Sequence, residues 1–179
     1  VTNARKLGRL EVTKTVNWNG VPVDNSQSFQ VCITGPFYPT PNCQSTGPNG
    51  GLLAWDNLVP GSYTINETAP GSAWDVQYTT TGVTVTDTGG TLTAGITNTR
   101  KLGRLEVTKV VELNGATGDP GQQFTVCIQG PSYPTTPNCQ NIGYNGGVLQ
   151  WDDLIPGVYT VAETTPPVEW YLVTLPQQV

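Results

Sequence analysis

An internal repeat constrains the fold of this chain more than any other feature of its sequence. Residues 7–14, Leu-Gly-Arg-Leu-Glu-Val-Thr-Lys, recur unchanged as residues 102–109, 95 positions later. Trp55 recurs as Trp151 at an offset of 96, because one residue is inserted in the second copy. Self-similarity at a fixed period marks a repeated structural unit. The 179 residues are therefore predicted to form two small modules of the same architecture.

The two copies are out of phase with the ends of the chain. Residues 96–103, which close the first copy, match residues 1–8 at six of eight positions. The second copy reaches Val179, which aligns with Val83, and nothing in it matches residues 95–98. We therefore predict three segments: residues 1–7 as the terminal strand of a preceding module with a basic tether, residues 8–99 as a first module, and residues 100–179 as a second module that lacks its last strand.

Alternating apolar residues predict the strands. In residues 10–16, Leu10, Val12 and Val16 fall on one face, while a glutamate and threonines fall on the other. No window shows a helical period, and short strands at regular spacing are typical of antiparallel sandwiches. The predicted fold is all-β, with two tandem antiparallel β-sandwich modules. Further strands are predicted at residues 29–33, 63–67, 83–86, 96–98 and 124–128.

The composition argues against several classes of function. Histidine is absent, which removes the commonest general base and the commonest metal ligand. The basic residues form two clusters, at 5–14 and 100–109, in a chain of net charge −5, whereas a nucleic-acid binder would spread them over a face. No apolar run approaches the roughly 18 residues of a membrane span. We expect no enzyme acting on an external substrate, no cofactor, no metal site, no nucleic-acid partner and no membrane span.

Charged and amide side chains occupy positions on the apolar faces of the predicted strands. Lys14, Glu67 and Asn98 each share a face with apolar neighbours in the first copy, and Lys109 and Glu163 do so in the second. Burying a bare ammonium or carboxylate group costs several kcal/mol. A chain that does this twice at matching positions requires a compensating interaction.

Two interpretations account for these residues. In the first, Lys14 and Glu67 form a buried ion pair with Asn98 as a hydrogen-bond partner, or the side chains extend to water from strand ends. In the second, a spontaneous isopeptide bond joins Lys14 to Asn98. Burial disfavours the charged forms, so that a neutral amine can attack the Asn98 side-chain carbonyl. A protonated Glu67 polarises that carbonyl and transfers protons as ammonia leaves. The product is an uncharged amide.

The motifs that carry these residues resemble a known domain family. Gly-Arg-Leu-Glu-Val-Thr-Lys at 8–14, Leu-Val-Pro-Gly-Ser-Tyr-Thr-Ile-Asn-Glu at 58–67 and Ile-Thr-Asn at 96–98 are similar to segments of the CnaB domains (SpaA-type, prealbumin-like) of bacterial surface adhesins and pilins. The resemblance implies an intramolecular isopeptide bond between Lys14 and Asn98, promoted by Glu67. It also implies an extracellular location at the bacterial surface.

The second copy departs from the family pattern. Lys109 and Glu163 are two-thirds of a second set, whose Asn is missing. One hypothesis is that residues 1–3 of one subunit fill the gap in the second module of the next, and that Asn3 bonds to Lys109. The alternative is that adjacent repeats of a longer chain supply the strand. The expected partners are therefore copies of the same chain or neighbouring repeats.

Four cysteines form two matched pairs. Cys32 with Cys43, and Cys127 with Cys139, each bracket a proline-rich segment, and the spacing fits neither a CxxC redox motif nor a histidine-containing metal site. We predict two local disulfides, which imply an oxidising compartment. Each closes a short loop and contributes about 2–3 kcal/mol.

The predicted function is structural: a repeat subunit of an extracellular bacterial filament, pilus or adhesin stalk. The alternative is a module that binds a host protein or glycan through its aromatic loops. Trp18 has no counterpart in the second copy, where Leu113 stands, so it is the first place to expect such a ligand. Paired tryptophans such as Trp74 and Trp170 are more typical of packing. Asp56 and the 152–153 pair follow tryptophans and indicate turns rather than a calcium site.

Overall fold

Eight strands build the first part of the chain. The computed structural model describes residues 1–173 and 177–179. The chain folds into two compact units, Val1–Lys101 and Leu102–Val179, which we call module one and module two. Module one forms two four-stranded sheets, ordered β4-β1-β8-β6 and β3-β2-β5-β7. The strands are β1 (Gly8–Asn17), β2 (Phe29–Thr34), β3 (Asn42–Thr46), β4 (Gly51–Leu58), β5 (Gly61–Glu67), β6 (Trp74–Tyr78), β7 (Gly82–Val85) and β8 (Gly90–Arg100).

The core of module one lies between its two sheets. Leu10 and Val12 of β1 are fully buried, as are Val31 and Ile33 of β2, while the intervening residues of each strand are partly or wholly exposed. This period of two places one face of each strand against the opposite sheet. The predicted all-β sandwich with alternating inward faces is confirmed.

The first and last strands of module one run side by side in the same direction. β1 pairs with β8 in parallel over ten residues, from Gly8 opposite Gly90 to Asn17 opposite Thr99. The other pairs of strands in module one are antiparallel. Because β1 and β8 are parallel, the chain enters module one at one end of this pair and leaves it at the other.

A buried tyrosine fixes the loops at one edge of the sandwich. The Tyr63 hydroxyl donates a hydrogen bond to the Val59 carbonyl at 3.0 Å and accepts one from the Phe37 amide at 3.2 Å. Its ring lies against Gly35, where an added Cβ would come within 2.4 Å of Tyr63 Cδ1. The glycine is therefore required by close packing and not by its backbone conformation. The repeat reproduces the arrangement with Tyr159 in module two.

Module two has the same strand order but fewer strands in one sheet. Its sheets, among the described residues, are β11-β10-β13-β14, with four strands, and β12-β9, with two. Residues 170–173 align with the start of β6 but form no strand, and β8 has no counterpart in the described part of the module. The strands are β9 (Gly103–Lys109), β10 (Gln123–Gly130), β11 (Tyr133–Gly143), β12 (Gly147–Leu154), β13 (Thr160–Glu163) and β14 (Gln177–Gln178).

The described residues include no helix of the length and apolar character that a membrane crossing needs.

Candidate crosslinking site

The alternation of β1 carries a lysine into the core of module one. Lys14 follows Leu10 and Val12 on the inward face, and its side chain is 0% exposed. Glu67, at the end of β5, has a side chain that is 1% exposed, and Asn98 of β8 is fully buried. Three polar side chains predicted to face inward therefore do so, from three different strands.

The three side chains meet in one cluster. Glu67 Oε1 lies 2.9 Å from Lys14 Nζ and accepts a hydrogen bond of 3.1 Å from Asn98 Nδ2. The carboxyl group of Glu67 therefore contacts both the amine and the amide. Opposed sheets create this meeting point, since Lys14 and Asn98 belong to β1 and β8 of one sheet, and Glu67 belongs to β5 of the other.

Burial dominates the ionisation of Lys14. Loss of hydration lowers the pKa of the Lys14 amine from its ordinary value of 10.5, and this effect outweighs the neighbouring carboxylate of Glu67, which raises the pKa. A buried amine with a lowered pKa is neutral in a larger fraction of molecules, and only the neutral amine is a nucleophile.

The cluster is poorly satisfied as three separate side chains. Among the described residues, Lys14 Nζ, Glu67 Oε2 and Asn98 Oδ1 have no hydrogen-bond partner, although all three atoms are buried. The short approach of Nζ to Oε1 does not have the angles of a hydrogen bond. Unsatisfied buried polar atoms each cost about 1–3 kcal/mol. A condensation of the amine with the amide would replace the ionisable amine by a neutral amide N–H, which is less costly to bury.

Aromatic side chains close the cluster from one side. Lys14 Nζ lies 5.0 Å from the centre of the Phe29 ring. Trp74 packs edge-to-face on Phe29 at 5.1 Å, and Trp18 packs edge-to-face on Trp74 at 4.9 Å. The sequence did not single out Phe29 as part of the site, although its recurrence as Phe124 was a signal that could have done so.

The aromatic packing also bears on the alternative of ligand binding. Trp18 is part-buried, and its Nε1 donates a hydrogen bond to the Pro48 carbonyl at 2.9 Å. Trp74, like Trp55, is buried. The indole rings of module one are thus engaged in packing, and they do not form an exposed platform for a sugar.

Module two holds the lysine and the glutamate without the asparagine. Lys109 Nζ lies 2.8 Å from Glu163 Oε2 and 4.7 Å from the centre of the Phe124 ring. The side chains of Lys109 and Glu163 are 19% and 10% exposed, against 0% and 1% for the first pair. Asn3, the proposed partner of Lys109, is exposed and precedes the first strand.

An open groove accounts for the greater exposure of the second pair. Its volume is about 1070 Å³, and its walls include Leu105, Val107 and Lys109 of β9 on one side and Phe124 and Glu163 on the other. We call this the acceptor groove. It occupies the position on β9 that corresponds to the position of β8 on β1.

Both predicted disulfides are present. Cys32 bonds to Cys43 and Cys127 bonds to Cys139, and in each pair the Cα atoms are 4.0 Å apart. Each bond joins residues that stand directly opposite one another on adjacent antiparallel strands.

Asp56, which the sequence assigned to a turn and not to a calcium site, forms an exposed ion pair with Arg9, with 2.5 Å between Asp56 Oδ1 and Arg9 Nη1.

These observations define a class: β-sandwich modules that bury a lysine and a glutamate between their two sheets, joined in module one by an asparagine on the strand next to the lysine. No model of a known protein family matches the chain, and no curated protein matches its sequence. Among solved structures, the Bacillus anthracis TIE protein is similar with a TM-score of 0.64 and 19% sequence identity, over 97% of this chain and 31% of that one. This likeness shows the fold. Because the match covers 31% of the other chain, this chain spans less than a third of the length of the TIE protein.

Two further solved structures are similar at lower scores. The major pilin from Streptococcus pyogenes gives a TM-score of 0.41 at 15% identity, over 92% of this chain and 83% of that one. A bacterial adhesin from Mobiluncus mulieris, described as containing intramolecular disulfide, isopeptide and ester bond cross-links, gives 0.37 at 16% identity, over 53% and 41% of the two chains.

Proposed function

We propose that the chain is a structural segment of a bacterial surface filament, pilus or adhesin stalk, and that module one is closed by an isopeptide bond between Lys14 and Asn98. The buried contact of Glu67 with both Lys14 and Asn98 carries the proposal. No solvent-exposed catalytic centre is involved, because the reaction joins two residues of one chain and occurs once per molecule.

The proposed reaction needs one rearrangement of the cluster. A half-turn of the Asn98 amide, which exchanges two atoms of similar shape, brings Oδ1 to the place where Nδ2 now contacts Glu67. A protonated Glu67 then donates a hydrogen bond to Oδ1 and polarises the carbonyl. The neutral Lys14 amine is held beside it by the packing of β1 against β8.

The bonds and protons balance without a cofactor. A bond forms between Lys14 Nζ and Asn98 Cγ, and the bond between Cγ and Nδ2 breaks. Glu67 takes one proton from the attacking nitrogen and delivers a proton to the leaving nitrogen, which departs as ammonia. The product is a neutral secondary amide in a site from which water is excluded, so the cost of a buried ammonium disappears.

The position of the bond supports a mechanical role. Tension applied to the two ends of module one enters through β1 and leaves through β8, which are adjacent and parallel. A bond between Lys14 and Asn98 carries this tension directly from one strand to the other. Residues 15–97, which include the Cys32–Cys43 disulfide, then lie outside the path of force. In module one the disulfide stabilises the fold instead of resisting extension.

The cellular location rests on the disulfides and the resemblance together. The two disulfides are typical of compartments where thiols are kept oxidised, as outside the cell. The same two-sheet fold occurs in the Bacillus anthracis TIE protein. We propose that the segment assembles with copies of itself head-to-tail or with adjacent repeats of a longer chain.

Extension of single molecules tests the mechanical role. With the chain held at residues 1 and 179, we expect module two to unfold under force and residues 15–97 of module one to stay folded. The Asn98→Ala variant should extend by the length of both modules, whereas Asn66→Ala, an exposed asparagine of β5, should behave as the parent chain does. Full extension of module one in the parent chain would overturn the proposal.

A further inference from the structure

We infer that the acceptor groove of module two binds an extended strand from a second copy of this chain, formed by residues 1–5, and that docking converts two neighbouring segments of module two into strands. The inference rests on the proposed function for its place in a filament. The docking itself is a separate physical event and is measured separately.

The groove presents an unused edge of a sheet. In module one, β1 pairs with β4 on one side and with β8 on the other. In the described part of module two, β9 pairs with β12 alone. Its inward residues Leu105 and Val107 are only half-buried, whereas their counterparts Leu10 and Val12 are fully buried. An open edge above exposed apolar side chains favours the addition of a strand.

Module one shows which segments form strands only because they pair with β8. Residues 15–17 of β1 have no partner on β4 and pair only with β8. Their counterparts in module two, residues 110–112, form no strand. In the same way, β6 pairs only with β8, and residues 170–173, which correspond to its first four residues, form no strand. Both segments therefore lack the template that orders their counterparts.

The sequence of the chain identifies an occupant. β6 pairs with residues 96–100 of β8, and the last four residues of β1 pair with 96–99. These are the residues that recur at 1–5, where Val-Thr-Asn-Ala-Arg replaces Ile-Thr-Asn-Thr-Arg. Residues 1–5 are exposed and lie outside the strands of module one, so they are accessible to another molecule. A donated strand of five residues is thus long enough to pair with both 110–112 and 170–173.

The register of module one predicts the chemistry at the docked strand. Ile96 stands opposite Lys14, and Asn98 stands opposite Val16. The same parallel register places Val1 of the donor beside Lys109, and Asn3 beside Val111. Lys109 Nζ then attacks Asn3 Cγ, the bond from Cγ to Nδ2 breaks, and Glu163, 2.8 Å from Lys109 Nζ, transfers a proton to the departing ammonia.

The covalent step is tested on the full chain. We expect a concentrated solution to yield a ladder of multimers that survives denaturation, and a crosslinked peptide that joins Asn3 to Lys109. Lys109→Met and Asn3→Ala should abolish the ladder. Two exposed residues serve as matched controls, and Lys101→Met and Asn25→Ala should retain the ladder. A crosslinked peptide that joins Asn98 to Lys109 would instead show exchange of β8 between molecules and would overturn the assignment of the donor.

The docking step is tested without the covalent bond. In the Lys109→Met variant, we expect amide hydrogen exchange at residues 110–112 and 170–173 to slow by about tenfold or more as protein concentration rises. Thr2→Pro, which removes a backbone donor from the donated strand, should abolish this protection, whereas Thr2→Val should keep it. Exchange that does not depend on concentration would overturn the inference.

The two proposals fail in different ways. If the crosslinking chemistry is wrong, the intact chain keeps its full mass, yet protection at 110–112 still rises with concentration. If strand donation is wrong, the chain shows the Lys14–Asn98 bond but stays monomeric, with unprotected amides at 170–173. In that case the strand that completes module two comes from elsewhere.

Discussion

Lys14 and Asn98 lie on adjacent parallel strands and are offset by two residues, since the direct partner of Asn98 is Val16. Glu67 reaches both of them from the opposite sheet. An amide bond at this place would join the first strand of module one to its last, so nearly the whole module would become a closed loop. Its effects on stability, on pH dependence and on mass follow from that geometry.

Loss of the bond should lower the stability of module one. A crosslink that closes a loop of about 85 residues contributes about 4.5 kcal/mol in the chain-entropy account used for disulfides. We expect Asn98→Ala to lower the free energy of unfolding of module one by about this amount, measured by hydrogen exchange of its core amides in urea. Asn66→Ala, on the exposed face of β5, is the matched control and should change little. Equal effects of the two substitutions would contradict the account.

The pH dependence of the uncrosslinked module should report the burial of Lys14. In Asn98→Ala the amine stays free, and burial holds its pKa below the ordinary 10.5 in the folded state. Between these two values the unfolded chain binds more protons than the folded chain, so stability rises with pH until about 10.5 and then levels off. The Lys14→Met, Asn98→Ala double variant should lack this rise. Urea titrations at several pH values measure the free energy of unfolding of both variants. If that free energy changes with pH equally in the two, the rise does not come from Lys14.

The disulfides should stabilise both modules by similar amounts. Each closes a short hairpin, with sequence separations of 11 and 12 residues. Replacing Cys32 and Cys43 by serine, or Cys127 and Cys139, should lower the free energy of unfolding of that module by about 2–3 kcal/mol. Thermal denaturation monitored separately in each module measures this. A pair whose removal leaves the transition unchanged would have no stabilising role.

Gly35 should not tolerate a methyl group. An added Cβ would come within 2.4 Å of Tyr63 Cδ1, and the ring is held because its hydroxyl donates one hydrogen bond to Val59 and accepts another from the Phe37 amide. Overpacking of this kind costs about 1–3 kcal/mol. Gly47 is the control, because an added Cβ there meets no atom within 4 Å. We expect a lower melting temperature for Gly35→Ala and little change for Gly47→Ala. The reverse order would show that the packing around Tyr63 is wrongly described.

Much of the fold followed from local pattern. Strands β1, β2 and β5 were predictable because buried and exposed residues alternate along them, and the inward positions of Lys14 and Glu67 followed from the same alternation. β4 was missed, since Leu52 is apolar yet 58% exposed and hides the alternation of Leu53 and Trp55.

Other features could not be predicted from local pattern. The first half of β8 contains glycines and an alanine, which have low strand propensity, so only residues 96–98 were recognised. The parallel pairing of β1 with β8 joins the two ends of the module, and no local signal encodes it. The open groove in module two required the structure, because its shape depends on which of the described segments fail to form strands.

The decisive experiment on the Lys14–Asn98 bond is the intact mass of the denatured, disulfide-bonded chain. For a chain kept in dilute solution, where molecules seldom meet, we expect a monomer lighter than the sequence mass by one ammonia, beyond the hydrogens lost in the disulfides, and a proteolytic fragment in which Lys14 is joined to Asn98. Glu67→Gln and Lys14→Met should restore the full mass. A parent chain with no loss of ammonia and no linked fragment would show that no bond forms, and would leave Lys14 and Glu67 as a buried ion pair.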